Sequence, residues 1–247
     1  MASYVNFALL YDVLMDDFDY VAWSGYIQGI LNGNGIEQGR ILEMACGTGS
    51  LTKELLDLGY RVDGFDLSEE MLAIAHNKLS KNKNLRLFNM DMTEFKMDRK
   101  YQAIIAACDS VNYILSEYSL KETFRRVYDH LEEGGLFIFD INSEYKLREV
   151  LGNNIFLEDR DEIFYTWENK FVEKTNICEF YLTFFHSNDG DNYQRFDEVH
   201  RERAYSTDTV KNLLMDVGFV EIENYEAFGF EDVKEDSERI NFVAKKK

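Results

Sequence analysis

Ile41-Leu42-Glu43-Met44-Ala45-Cys46-Gly47-Thr48-Gly49-Ser50-Leu51-Thr52 passes from a short apolar run, through a turn with two glycines, into an amphipathic segment. Ile41 to Ala45 reads as a short buried strand. Leu51, Leu55 and Leu58 line one side of a helix that Gly59 ends. Glycines in such a turn let the backbone approach a ligand closely. The turn stands at the carboxyl end of a strand, where open α/β sheets bind their ligands.

The alternation continues outward from this unit and predicts a parallel sheet. Val62 to Asp66 reads as a second strand, and Ser68 as the N-cap of a helix with Glu69 and Glu70 in its first turn. Met71, Leu72, Ala75 and Leu79 supply that helix's apolar face. Leu85 to Asn89 is a third strand and Ala103 to Ala107 a fourth. Ser119 and Glu122 read as a capping box before Phe124, Val127, Tyr128 and Leu131, with Gly134-Gly135 as the stop. Leu136 to Ile141 is a fifth strand. From 155 to 204 the helical period disappears. Ile163 to Phe171, Ile177 to Phe185 and Tyr193 to Tyr205 favour β-structure, with turns at Glu173-Lys174-Thr175-Asn176 and Asn188-Asp189-Gly190-Asp191. A helix returns at Thr207 to Val217, closed by Gly218. Phe219 to Tyr225 and Ile240 to Ala244 finish as strands.

Acidic residues follow three more strands. Asp66 ends the second, 17 residues after Gly49, where a carboxylate can accept both hydroxyls of a ribose. Asp91 follows the third, within reach of an adenine amino group. Asp109 follows the fourth, beside the same crevice. Together with the glycine turn, these positions predict a nucleoside-bearing cofactor.

The run Glu43-x-x-x-Gly47-Thr48-Gly49, then Gly64-Phe65-Asp66-Leu67-Ser68-x-x-Met71-Leu72, resembles motifs I and II of class I S-adenosylmethionine-dependent methyltransferases. Asn89-Met90-Asp91-Met92, Tyr101-x-Ala103-Ile104-Ile105 and Leu131-Glu132-Glu133-Gly134-Gly135 are similar to the later blocks. Ala45 stands where a first loop glycine is common, and Glu133 where proline is common. Tyr11-Asp12-x-Leu14-Met15 and Tyr20-x-x-Trp23 resemble the N-terminal cap of small bacterial enzymes such as amino-sugar and glycine N-methyltransferases. The resemblance implies a doubly wound, Rossmann-like sheet of seven strands with an antiparallel closing strand. It implies a helical cap over 1–40, a cofactor domain over 41–150 and 205–247, and an antiparallel β insert over 151–204 above the cleft. It implies S-adenosylmethionine contacts from Tyr11, Trp23, Glu43, Ala45, Cys46, Gly47, Thr48, Gly49, Asp66, Leu67, Met71, Asp91, Met92, Cys108 and Asp109. Tyr113, Trp167, His200 and Arg203 are the expected acceptor contacts.

A dinucleotide oxidoreductase is the rival reading, but its third fingerprint glycine would fall at Thr52. A non-catalytic cofactor-binding module is a third. No residue is identified as catalytic from the pattern. Tyr11 and His200 are the candidates, because His200 lies in the segment that returns from the insert to the crevice. His76 and His130 fall on helices bracing the sheet, and His186 beside a turn.

The formal charge is −19, from 27 basic and 46 acidic residues, which disfavours a nucleic-acid substrate and leaves a small polar metabolite or, as alternatives, protein or RNA. Cys46, Cys108 and Cys178 are widely separated and suggest neither disulfides nor a metal site. No apolar run reaches the roughly 18 residues of a membrane span, and the N-terminus lacks a basic signal region. A cytoplasmic location is expected.

Overall fold

The computed structural model describes residues 3–160, 162–187 and 191–247, with side chains from Phe7 onward. The chain opens with α1 (Ser3–Leu14) and α2 (Tyr20–Gly33). The alternating part follows: β1 (Arg40–Met44), α3 (Ser50–Asp57), β2 (Arg61–Asp66), α4 (Glu69–Leu79), β3 (Leu85–Asn89), β4 (Tyr101–Ala106), α5 (Glu117–His130) and β5 (Leu131–Asn142). The insert holds β6 (Ile155–Arg160), β7 (Ile163–Val172), β8 (Ile177–Ser187) and β9 (Tyr193–Arg203). α6 (Thr207–Val217), β10 (Phe219–Glu226) and β11 (Arg239–Lys246) complete it.

The main sheet has seven strands in the order β10-β11-β5-β4-β1-β2-β3. β11 runs antiparallel between β5 and β10, and the pairings from β5 to β3 are parallel. The expected doubly wound sheet with one antiparallel closing strand is therefore present. Both faces are covered, which is why the central strands read as continuous apolar runs rather than alternating ones. Leu42, Met44, Ile104, Phe137, Phe139 and Phe242 pack with Phe124, Val127 and Leu214 of α5 and α6. On the other face Ile41, Val62, Ile105 and Ile138 pack with Ile27 and Leu31 of α2 and Leu51 and Leu55 of α3. β3 is only half-buried along its length because it is the sheet's edge.

Ser68 caps α4 as expected, its Oγ accepting the Met71 N–H at 3.1 Å, a bond of the kind worth about 1 kcal/mol. Two local expectations are corrected. α5 is capped by Ser116, whose Oγ accepts the Ser119 N–H, so Ser119 lies inside the first turn. α5 also ends at His130, ahead of Gly134-Gly135. These glycines fall instead in an irregular stretch of β5, where the pairing with β4 slips between Tyr101 and Ala103. A Cβ on Gly135 would lie 2.9 Å from the Glu132 carbonyl, so the bulge requires glycine there.

The insert is an antiparallel sheet in the order β6-β7-β8-β9, one strand more than its alternation predicts. The turn at 173–176 joins β7 to β8. The second expected turn, at 188–191, lies outside the described residues except for Asp191. Phe171, Cys178 and Phe180 close over Leu147 and Leu151, which follow β5. Phe184 and Phe196 take Leu10 and Phe7 of α1 against them. α1 also packs on α4, so it bridges the insert and the cofactor half of the sheet. No helix among the described residues is long and apolar enough to cross a membrane.

Candidate active site

The crevice at the carboxyl ends of the strands begins with the loop after β1. Ala45, Gly47 and Gly49 all take left-handed backbone, with φ of 51°, 53° and 79°. A Cβ on Gly47 would meet nothing, whereas one on Gly49 would press on Leu79 and Ala75 of α4 at 3.0 and 3.1 Å. Gly47 thus leaves an open backbone face, and Gly49 lets the loop lie close on α4. The Gly47 N–H donates to Asp66 Oδ2 at 2.8 Å and the Ser68 N–H to Asp66 Oδ1 at 2.9 Å. Burial pushes the Asp66 carboxyl up from its ordinary range, and these backbone donors oppose that shift. Leu67 is exposed beside it, and Met71 is half-buried. Asp91 folds back on its own turn, accepting from the Thr93 N–H and Oγ1 at 2.7 Å each. Met92 packs against the core next to it.

Glu43 lies beneath the loop. Its carboxyl accepts from Thr52 Oγ1 at 2.6 Å, and burial, with Asp66 nearby, pushes its pKa up to about 8. Thr52 is the position where a dinucleotide fingerprint would need glycine. Here its hydroxyl satisfies a buried carboxyl. Cys46 is buried in the same layer, which pushes its thiol up. Thr48 Oγ1 donates to Asp12 Oδ1 at 2.5 Å, and Lys78 Nζ bonds Asp12 Oδ2 at 2.7 Å. Asp12 therefore pins α1 to both the loop and α4.

β4 ends in two consecutive left-handed residues, Cys108 (φ 56°) and Asp109 (φ 52°). Neither is glycine, so each costs on the order of 1–2 kcal/mol. A buried network holds them. The Asp109 N–H donates to Asp140 Oδ2 at 2.9 Å, and Arg239 bridges Asp140 and Asp109, with 2.6 Å to the latter. Burial pushes the Asp140 carboxyl up, and Arg239 opposes that shift. Glu202, from β9 of the insert, enters the same region. Asn142 Nδ2 donates to it at 2.8 Å, and burial, then Asp109, push its carboxyl well up. Asn112 ties the turn down by donating to the carbonyls of Asn142 and Arg203.

Facing this turn are aromatic groups from three parts of the chain. Tyr11 bonds Tyr20 and lies close to Cys108, Asp109 and Tyr113; burial, first, and these neighbours raise its hydroxyl's pKa. Phe7 sits 5.8 Å from Tyr11 and 5.4 Å from His200, ring centre to ring centre. Tyr113 meets His200 edge-on at 5.9 Å, its hydroxyl 3.4 Å from Nδ1. His200 Nε2 is buried without a hydrogen-bond partner, and burial lowers the imidazole's pKa.

The expected site residues thus divide. Tyr11, Cys108, Asp109, Tyr113 and His200 come together, and Glu43 through Gly49 adjoin Asp66. Trp23 is 1% exposed and stacked on Tyr26 at 5.5 Å, in the cluster that α2 forms with the sheet and against which Tyr20 and Cys108 also pack. Trp167 lies between Phe156 and Phe180 in the insert's own layer. Arg203 is taken up by Glu117 at 2.7 Å and the Leu115 carbonyl at 3.1 Å. His130 is a packing residue whose Nε2 accepts the Met97 N–H at 3.0 Å. Asp12 and Tyr20 stood in the quoted cap motif without an assigned role. Asp140, Glu202 and Arg239 carried no local signal.

The open, left-handed loop above a buried carboxyl, with Asp66 beside it, fits a nucleoside cofactor carrying a flexible amino-acid chain. Residues 41–135 match the family model described as a methyltransferase domain. A protein named as a methyltransferase from Geobacillus sp. (strain WCH70) is 39% identical over 247 residues, 99% of this chain and 100% of the relative. The crystal structure of an S-adenosylmethionine-dependent methyltransferase from Clostridium acetobutylicum ATCC 824 has a TM-score of 0.89 at 39% identity, covering 98% of each chain. A dTDP-3-amino-3,4,6-trideoxy-alpha-D-glucopyranose N,N-dimethyltransferase from Streptomyces venezuelae is 31% identical over 126 residues, 49% of this chain and 50% of the relative. The oxidoreductase reading falls with these matches. The chain belongs to the S-adenosylmethionine-dependent methyltransferases, and its cofactor is S-adenosylmethionine.

Proposed function

We propose that the enzyme methylates a small polar metabolite held between the Cys108–Tyr113 turn and the inner side of the insert. The observation that carries this reading is the buried, unpartnered Nε2 of His200 among Phe7, Tyr11 and Tyr113. A buried polar nitrogen without a partner is costly unless a ligand satisfies it. The amino-sugar relative, named for N,N-dimethylation, supports an amine acceptor.

S-adenosylmethionine supplies an electrophilic methyl group on a sulfonium, open to in-line displacement. In this reading Asp66 accepts the ribose hydroxyls, Asp91 the adenine amino group, and the Gly47–Gly49 backbone borders the methionine portion. The rings of Phe7, Tyr11 and Tyr113 exclude water and present π faces to positive charge. His200, its pKa lowered by burial, is a neutral imidazole at neutral pH. Its Nε2 can then orient an acceptor N–H or O–H by accepting from it and can take the released proton. Asp109, fixed by Arg239 and by its N–H bond to Asp140, would border the acceptor in this reading.

The test is a panel of amines, hydroxy acids and amino sugars assayed for S-adenosylhomocysteine release, followed by His200→Ala on the best acceptor. Turnover should fall while cofactor affinity stays within a few fold. Methylation confined to protein or RNA, with no metabolite turned over, would refute the proposal.

A further inference from the structure

The opposite end of the main sheet carries an unused feature. In a parallel sheet the amino ends of β1, β2, β3 and β4 share one edge, away from the cofactor crevice. Arg40 and Arg61 are register partners at the starts of β1 and β2. With Lys83, Asn84, Arg86 and Arg99 they line a groove of about 280 Å³. Five of these six residues are cationic and none is acidic or aromatic. In a chain of formal charge −19 this is a marked local reversal.

The guanidiniums are held from beneath. Asp63 is fully buried and accepts from Arg86 Nε and Nη2 at 2.9 and 2.6 Å, from Tyr101 at 2.9 Å and from Arg40 at 3.5 Å. Asp98, exposed at the rim, pairs with Arg99 at 2.9 Å and Arg86 at 3.3 Å. Two carboxylates thus answer five cations. Among the described residues, Arg61 and Lys83 have no carboxylate within ion-pair distance. Placing like charges side by side is unfavourable for the empty protein and favourable once an anion lies between them.

We infer that this groove is a second ligand site, for a small anion carrying two or more phosphoryl groups. Arginine forks match phosphoryl oxygens two at a time. That of Arg86 is taken up by Asp63, which holds its charge in place. Arg61, which pairs with no carboxylate among the described residues, is the fork that meets the anion. The lining offers no ring on which a nucleobase could stack, so single-stranded nucleic acid is disfavoured. No residue of the groove belongs to the methyl-transfer site.

The test is calorimetric titration of the full chain with inorganic pyrophosphate. Binding is expected and should weaken as salt is raised from about 50 to about 200 mM. Arg61→Ala with Lys83→Ala should weaken it by about tenfold or more. Unchanged S-adenosylhomocysteine affinity will show that the double variant is folded. Absence of pyrophosphate binding overturns the inference, as does equal binding by the double variant. A parallel titration with a single-stranded oligonucleotide separates the sources. Oligonucleotide binding that the substitutions abolish and pyrophosphate does not displace would replace the small anion with nucleic acid and overturn the proposal.

Discussion

Replacing Glu43 by Gln should stabilise the protein in a way that grows with pH. Glu43 is 3% exposed, accepts from Thr52 and has its pKa pushed up to about 8 by burial, then by Asp66. The ordinary value for the unfolded chain is 4.5. Between these limits the folded protein keeps a proton that the unfolded chain has released. For an acid raised in this way, the favourable contribution is complete below the unfolded pKa and is lost as pH rises toward the folded one. The loss is about 1.4 kcal/mol per pH unit, or about 2–3 kcal/mol between about pH 5.5 and 7.5, flattening above about 8. A Gln side chain has nearly the same shape and can still accept from Thr52, but it carries no proton to release. Urea denaturation of both proteins at a series of pH values gives the difference directly. Other raised acids, such as Asp140 and Glu202, act in both proteins and cancel. The stability difference should climb by about 2–3 kcal/mol over that range and then level. A difference that stays flat would mean that Glu43 is ionised in the folded state.

Asp66→Ala should weaken S-adenosylmethionine binding at least about tenfold by calorimetry, because it removes two charge-assisted hydrogen bonds worth about 1.5–3 kcal/mol each. Unchanged affinity would displace the ribose from Asp66. Arg239→Ala leaves Asp140 buried without its ion pair and should cost about 3–5 kcal/mol in urea denaturation. A loss under about 1 kcal/mol would show that the Cys108–Asp109 turn does not need it. Deleting residues 1–18 removes α1 but keeps the Asp19 cap and Trp23, which the core requires. The shortened enzyme should bind S-adenosylhomocysteine more weakly and lose methyl transfer, and normal turnover would exclude Phe7 and Tyr11 from the site.

The sequence by itself determined the sheet and half of the site. The alternation of apolar runs with capped helices locates five parallel strands, because burial on both faces makes each strand uniformly apolar. Glycines with left-handed backbone and acids at strand ends mark the cofactor loop, because both requirements are local. Ser68 and Gly59 were legible for the same reason. Ser119 was misread because two serines three residues apart can each cap a helix, and only the start of α5 at Glu117 decides between them. Tertiary structure decided the rest. Trp23 and Tyr11 sit in one aromatic-rich segment, yet α2 buries the first against the sheet and α1 carries the second to the crevice. Nothing in the local pattern separates two apolar helices by what they pack on. His200 and Arg203 lie three residues apart on one strand. The first faces Phe7 and Tyr113, and the second is captured by Glu117. Arg239, Asp140 and Glu202 come from distant parts of the chain. Their meeting depends on β11 lying beside β5 and on β9 folding back over it, long-range pairings that no local residue pattern records.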